Sequence, residues 1–394
     1  MSVAIFTDND FDKTNGVTTT LKALLRHAPP DIRLRIYTLS EIDVDQPDYL
    51  ALRSMSMPIP FYSEMQMYVP RMRRFRRRLA ADGVRLLHLT TPGPTGLAAR
   101  YFASRSRLRL VGSFHTNLAE YTTILSGSRQ LGNLMEEYMR WLYGGCETIL
   151  VPSHDTADRL ISRRWKPERL SLWQRGVDTS IFTPARRSTA LRERWRVCDR
   201  RPAVLYAGRV SREKGLDLLE PLVSLLDRAR LAHRLIIVGD GPMSAELRER
   251  CPDAVFTGRL PHDDVAIAMA SADVMIFPSQ TDTAGNVVLE AQACGLPVVV
   301  TDTGGPRENM RDGETGFVCR SGDAESFFRQ IADLLRNPAR RTAMAGAARR
   351  FAEERTWPAS LQPVYSLYRS ALSAAYVKPA DDTLPVTARA TSHV

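Results

Sequence analysis

Lysine is nearly missing from this 394-residue chain, cysteine is sparse, and nowhere do eighteen apolar residues follow one another. Each scarcity excludes something. The five cysteines, at 146, 198, 251, 294 and 319, are odd in number, far apart and in no histidine-associated spacing. That excludes a disulfide framework and a zinc site, and a reducing cytosol fits. The opening MSVAIFTDND has no basic region ahead of a long apolar stretch, so neither a standard export signal nor a membrane span is expected. The expected location is cytoplasmic, with peripheral attachment to the inner face of the membrane as a further option. Of 54 basic side chains only five are lysine, and the net charge is +10. Codon bias in a GC-rich genome and a general taste for phosphate both account for arginine dominance. No repeat or low-complexity tract appears, and 44% hydrophobic residues make a folded globule too large for one core.

What is present is an alternation of strands and helices. VAIF at 3–6, LRIYTL at 34–39, RLLHL at 85–89, RLVGSF at 109–114 and TILV at 148–151 are short apolar runs with helix-length segments between most of them. The pattern restarts with AVLYA at 203–207, RLIIVG at 234–239, AVFTG at 254–258, VMIFP at 274–278 and PVVVT at 297–301. Continuous apolar strands between helices imply parallel sheets covered on both faces, so the fold class is α/β, two doubly wound Rossmann-like domains. The expected division is 1–180 and 181–356, with a hinge near 176–200. A helix over about 359–376 is expected to return to the first domain through Leu361, Val364, Tyr365, Tyr368 and Leu372, leaving 377–394 as a disordered tail. Two such domains bind ligand in the cleft between them, at the carboxyl ends of their strands. No GxGxxG follows the first strand, which speaks against a nicotinamide or flavin enzyme.

Three segments carry the chemistry. Asn15 and Gly16 precede Val17 and three threonines at a helix mouth. A glycine there lets backbone N–H groups approach an anion, although the same turn serves as a plain connection. In LYAGRVSREKGLDLL, Arg209 directly follows a strand and Lys214 lies five positions on, so both cations are placed where a diphosphate would lie. In PSQTDTAGNVVLEAQACGLP, Asp282 sits in a loop, Gly285, Asn286 and Val287 open a helix, and Glu290 falls inside an apolar run. The helix N-terminus offers free N–H groups to phosphate, and an acid among apolar residues needs a partner or a ligand.

In order and spacing these residues resemble the retaining, nucleotide-sugar-dependent glycosyltransferases of family 4, which have the GT-B fold. The resemblance runs from NGV at 15–17 through Arg209 and Lys214, VGDGP at 238–242 and the acid-x7-Glu pair to ETGF at 314–317. Two departures concern the sugar pocket: the first acid is Asp282 where the family usually has Glu, and Ala284 stands where an aromatic is usual. FYSEMQMYVPRMRRF, HLTTPGPTGLAA, SFHTNLAEYT and WQRGVD are similar to the branch of sulfoquinovosyl-diacylglycerol synthases and bacterial α-mannosyltransferases of glycolipid synthesis. The resemblance implies a hexose donor carried on UDP or GDP, a lipid-linked or glycolipid acceptor, and pocket contacts near Gly241, Leu260 and Ala284. Glu290 would hold the ribose hydroxyls and Asp282 those of the sugar. His115 becomes the first-domain residue expected to meet the sugar, through its ring or its backbone carbonyl.

The segment 55–83 bears on the membrane. Tyr68, Met72, Phe75 and Leu79 are spaced for one helical face, and six arginines, Arg73, Arg74 and Arg77 among them, fall within 71–78. Such a helix suits an anionic bilayer, at about 1 kcal/mol per basic residue, or it has its stripe in the core and its arginines in water. Asp8-Asn9-Asp10 and Asp43-Val44-Asp45 match a metal-binding D-x-D superficially; the expectation is no metal and no cofactor, the cations and the helix N-terminus neutralising the diphosphate. An epimerase or phosphorylase suits the same two domains. Nucleic-acid binding ranks below both, since the arginines are spread through the chain without a binding motif.

Overall fold

The apolar runs become strands, buried except at the edge strand Val255–Gly258, because a parallel sheet flanked by helices gives an inner strand residue no wet side. The computed structural model describes residues 1–11, 15–59, 62–106 and 108–373, the side chains of 58–67 excepted, so the tail expected at 377–394 lies outside the described residues. The first domain contains β1 Ser2–Phe6, β2 Arg33–Ser40, β3 Val44–Asp45, β4 Tyr49–Arg53, β5 Ser56–Ile59, β6 Tyr62–Tyr68, β7 Leu86–Leu89, β8 Arg109–Ser113, β9 Thr148–Val151 and β10 Leu170–Leu172. Eight of these form one sheet in the order β10-β9-β8-β7-β1-β2-β4-β3, parallel except for β3. The pair β5-β6 is a separate antiparallel ribbon.

The second domain is a six-stranded parallel sheet, order β13-β12-β11-β14-β15-β16, built from β11 Ala203–Ala207, β12 Arg234–Val238, β13 Val255–Gly258, β14 Val274–Phe277, β15 Val298–Thr301 and β16 Gly316–Cys319. Strand order reverses between β11 and β14. At such a switch point the connections leave in opposite directions and open a crevice beyond the carboxyl ends, which is where open α/β sheets bind ligands. Both segments with the sequence's functional candidates, 208–214 and 278–290, leave from those two strands.

Three features differ from the sequence reading. The Met-rich stretch before the basic helix is the β5-β6 ribbon, so Tyr68 ends a strand and does not share a helical face with Met72. The stretch 176–200 contains no strand, but it is no free linker: Val177, Phe182, Trp195 and Val197 are buried in the second domain's core, and a helix spans Thr189–Trp195. The last helix starts earlier than expected, at Trp357, and runs to Ser373 through Pro363. Its Leu361, Val364, Tyr365 and Tyr368 are buried with Val3, Ile5, Leu21, Leu24 and Leu86 of the first domain.

Candidate active site

Lys214 and Asp282 meet at the switch point. The Nζ of Lys214 donates to both carboxylate oxygens, at 2.9 and 2.8 Å. Lys214 lies in a 3₁₀ turn, Arg212–Lys214, behind β11, and Asp282 in the loop behind β14. The Thr281 hydroxyl donates to the Glu213 carbonyl at 3.1 Å, tying the two loops together. Burial works most strongly against the Lys214 charge, but Asp282, Tyr121 and Tyr206 together outweigh it and the ammonium is held above its usual range. Arg209 is half-buried on the same rim, and burial pulls its pKa down. The turn closes tightly around Gly241, where a Cβ would come within 2.3 Å of the Val210 carbonyl oxygen. A side chain there would displace the loop that carries Arg209 and Lys214. Leu260 packs against the second domain's core.

The helix Asn286–Ala293 starts on Gly285, in the left-handed region at φ +68°, and no side chain caps it. A Cβ on Gly285 would sit 2.7 Å from the Pro306 Cα, so both the conformation and the space require glycine. The uncapped N–H groups of Asn286 and Val287 supply the partial positive charge of a helix N-terminus. Glu290, one turn further, points toward His262 with 4.0 Å between Oε1 and Nε2. Burial pushes its carboxyl up to about 7 and lowers the His262 imidazole. A carboxyl group buried without a closer partner among the described residues is suited to accept two hydroxyls.

The first domain closes the other side. Thr283 Oγ1 donates to the His115 carbonyl at 2.7 Å, and the Thr283 carbonyl accepts from Ser153 Oγ at 2.8 Å. Glu308 accepts from the backbone N–H groups of His154 and Asp155 at 2.8 and 2.7 Å, and Arg307 pairs with Asp155. Asn286 Nδ2 donates to the Gly16 carbonyl at 3.4 Å, across the cleft. Tyr121, on the helix Leu118–Ser126, faces Thr281, Lys214 and Asp282, and its burial raises the phenol's pKa. Between the domains a small depression is lined by Asn117, Asp155, Arg159, Asp282, Thr283 and Gly304, among others. The structure thus brings His115, Lys214, Asp282, Gly16 and Asn286 to one cleft, with Arg209 and Glu290 on the segments that follow the same two strands. Sequence reasoning missed Tyr121, Thr283, Arg175 and His262. No spacing signals a residue that meets its partner far along the chain, as Arg175 meets His115 and His262 meets Glu290 within one domain, or across a domain boundary, as Thr283 does.

Other expectations need correction. The Asn15 side chain is spent on its own helix, Gly16–Arg26, where Oδ1 accepts from Val17 N and Thr18 N at 2.9 and 3.0 Å. Phe75 does not face a membrane: it is fully buried against Phe6 and Tyr37, and Leu79 is buried beside it, with Met72 and Tyr68 packed on the same cluster. The stripe is core because the helix Met72–Ala81 lies on the first sheet. Arg73 and Arg77 point to solvent, whereas Arg74 pairs with Asp43 at 2.9 Å. Of the D-x-D candidates, Asp8 is bonded to Thr91 and the Thr95 N–H, and Asp45 to Arg35 and Arg78.

Residues 201–337 match the family described as Glycosyl transferases group 1, and residues 14–181 match Glycosyltransferase Family 4. The chain is 30% identical to a GDP-mannose-dependent alpha-mannosyltransferase of Mycobacterium tuberculosis, over 90% of this chain and 93% of that one. It is 32% identical to the sulfoquinovosyl transferase SQD2 of Arabidopsis thaliana over 78% of this chain, and spans 61% of that relative's length. Among solved structures, sucrose-phosphate synthase from Thermosynechococcus elongatus superposes with a TM-score of 0.77 at 20% identity, covering 95% of this chain and all of the other. Anabaena Alr3699/HepE in complex with UDP-glucose gives 0.74 at 18% identity, over 94% and 100%. At those identities the likeness concerns the fold.

Proposed function

The chain belongs to the family 4, group 1 glycosyltransferases of the GT-B fold, and from that premise we propose that it transfers a hexose from a nucleoside diphosphate sugar to a lipid-linked acceptor, with retention at the anomeric carbon. The observation that carries this reading is the cluster at the β11/β14 switch point. Arg209 and Lys214 follow β11, the uncapped helix Asn286–Ala293 follows its neighbour β14, and in this reading all three face a leaving diphosphate as it gathers charge. As the bond to the β-phosphate oxygen lengthens, these donors stabilise the developing charge in a site already organised around it. Asp282 faces the sugar, where positive charge builds on the ring, and Glu290 takes the ribose hydroxyls. Two cations and a helix dipole suffice for the diphosphate, so no metal or cofactor is needed in this scheme.

Support for a GDP-mannose donor comes from the relatives' names, a UDP-hexose is the other donor of the reading, and a glycolipid acceptor is supported by a 27% identical relative named for a phosphatidylinositol mannoside acceptor. Among the described residues no helix is long and apolar enough to cross a membrane. The exposed Arg71, Arg73, Arg76 and Arg77 support electrostatic attachment to an anionic surface. The deciding experiment is a donor screen with UDP-glucose, UDP-galactose, UDP-sulfoquinovose and GDP-mannose, followed by hydrolysis and by transfer to lipid. Turnover of none of the four removes the reading.

A further inference from the structure

Five polar side chains form a continuous line under the cleft. Arg175 Nη2 lies 3.0 Å from His115 Nδ1, and His115 Nε2 lies 2.7 Å from Ser113 Oγ. Ser113 Oγ is in turn 3.0 Å from His88 Nε2, and His88 Nδ1 is 2.6 Å from the Tyr368 hydroxyl on the last helix. Ser113, His88 and Tyr368 are fully buried and Arg175 is 3% exposed. Among the described residues the partners of Arg175 are His115, the Trp173 carbonyl and the Trp173 ring, 4.4 Å from its guanidinium carbon.

The chemistry of these groups fixes the direction of the line at its cleft end. Guanidinium nitrogens only donate, so His115 Nδ1 must accept. A bare Nδ1 in a neutral imidazole places the hydrogen on Nε2, which donates to Ser113. A protonated His115 would set N–H against N–H at Arg175. Further along, either tautomer of His88 keeps its bonds to both hydroxyls. Both ring nitrogens of His115 are therefore engaged inward, and the part of the residue presented to the second domain is its carbonyl, which holds Thr283.

We infer that Arg175, Ser113, His88 and Tyr368 are positioning residues: the relay locks the His115 ring so that its carbonyl, not its imidazole, clasps the loop of Asp282 and Thr283. Through it the last helix of the chain is connected to the position of the acid beside the sugar. For its effect on turnover the inference rests on the transferase reading; for its hydrogen-bond pattern it does not. Burial and the Arg175 charge hold His115 well below the usual histidine range, and burial takes His88 down to about 3, in keeping with two neutral rings.

The test has two arms. In the full-length protein labelled with ¹⁵N-histidine, the His115 resonances, assigned with His115→Gln, should show a protonated Nε2 and a bare Nδ1, with no titration down to pH 6. A protonated Nδ1, or titration near the ordinary value of about 6.5, overturns the inference. In the second arm, Ser113→Ala and Tyr368→Phe should lower kcat about 10-fold or more and leave the donor KM within about 3-fold, since misplacing groups around a reacting centre by about 1 Å costs up to about 100-fold. Unchanged kcat in both variants overturns the positioning role. Should Ser113→Ala fail to fold, Tyr368→Phe, which lacks a single oxygen atom, carries the kinetic arm. If the wild type turns over no nucleotide sugar, the transferase reading has failed, and the tautomer measurement still decides the relay.

Discussion

Lys214 holds both oxygens of Asp282, a residue 68 positions later in the chain, at 2.9 and 2.8 Å. The pair ties the cation that would face a diphosphate to the acid that would face the sugar, so a substitution at one alters the other. Lys214→Ala and Arg209→Ala should each lower kcat about 100-fold or more, the scale of a lost transition-state donor. Near-normal turnover in both would sink the assignment. Lys214→Met alone leaves Asp282 as an uncompensated, poorly hydrated charge, which costs about 3 to 5 kcal/mol when fully buried and less here, where Asp282 keeps 21% exposure. The double variant Lys214→Met/Asp282→Leu should recover most of that melting temperature and none of the activity.

Stability should carry the signature of Glu290. Its carboxyl is lifted by burial from the ordinary 4.5 to about 7, so between those values the folded protein holds a proton that the unfolded chain has released. The sign is therefore negative: this stabilisation is complete below about pH 4 and lost as pH rises through 7, a total of about 3 kcal/mol. Melting curves of Glu290→Gln should lack that component. An identical pH dependence in wild type and variant would count against the burial of a neutral carboxyl.

The basic helix separates charge from packing. Phe75→Ser with Met72→Ser should destabilise the fold by about 3 to 5 kcal/mol, as large-to-small core changes do, and leave vesicle co-sedimentation per folded molecule unaltered. Arg73→Glu with Arg77→Glu should do the reverse, weakening binding to anionic vesicles with little change in melting temperature. That binding should also fall as salt rises past about 0.15 M, where surface attraction decays over about 8 Å.

Chelation offers a simple check on how the diphosphate is neutralised. With Arg209, Lys214 and the helix N-terminus in that role, EDTA should leave turnover within about twofold, far from the 100-fold expected for a lost electrostatic donor. A collapse restored by Mg²⁺ or Mn²⁺ would reassign the charge to a metal.

Both wound sheets were readable in the sequence because buried parallel strands are unbroken apolar runs, and the switch-point candidates because they follow those runs at once. The edges were harder. β3 has two residues and β10 three, too few for periodicity, and the β5-β6 ribbon is Met-rich without a clean alternation. Phe75 was ambiguous for a physical reason: an apolar stripe with arginines opposite has the same spacing whether it meets a bilayer or a sheet. Thr283, Tyr121 and Arg175 could not be found at all. The roles of Thr283 and Tyr121 depend on which loops face one another across the cleft, and that of Arg175 on its meeting His115, 60 positions earlier, within the first domain; both are properties of the assembled fold and not of local sequence.

The returning helix has a consequence for the order in which the protein takes shape. The chain crosses between domains twice, side by side, with Val177 N bonded to the Arg355 carbonyl at 2.8 Å. Topologically the second domain is an insertion within the first. During synthesis the residues of the second core emerge as one continuous stretch and can fold as a unit, whereas the first domain, although begun earlier, lacks Leu361, Val364, Tyr365 and Tyr368 until the whole of the second domain has been made. Of the two domains, the one begun earlier is completed after the other, and a nascent chain stopped short of Trp357 would hold a finished second domain beside a first domain with one side of its core open to water.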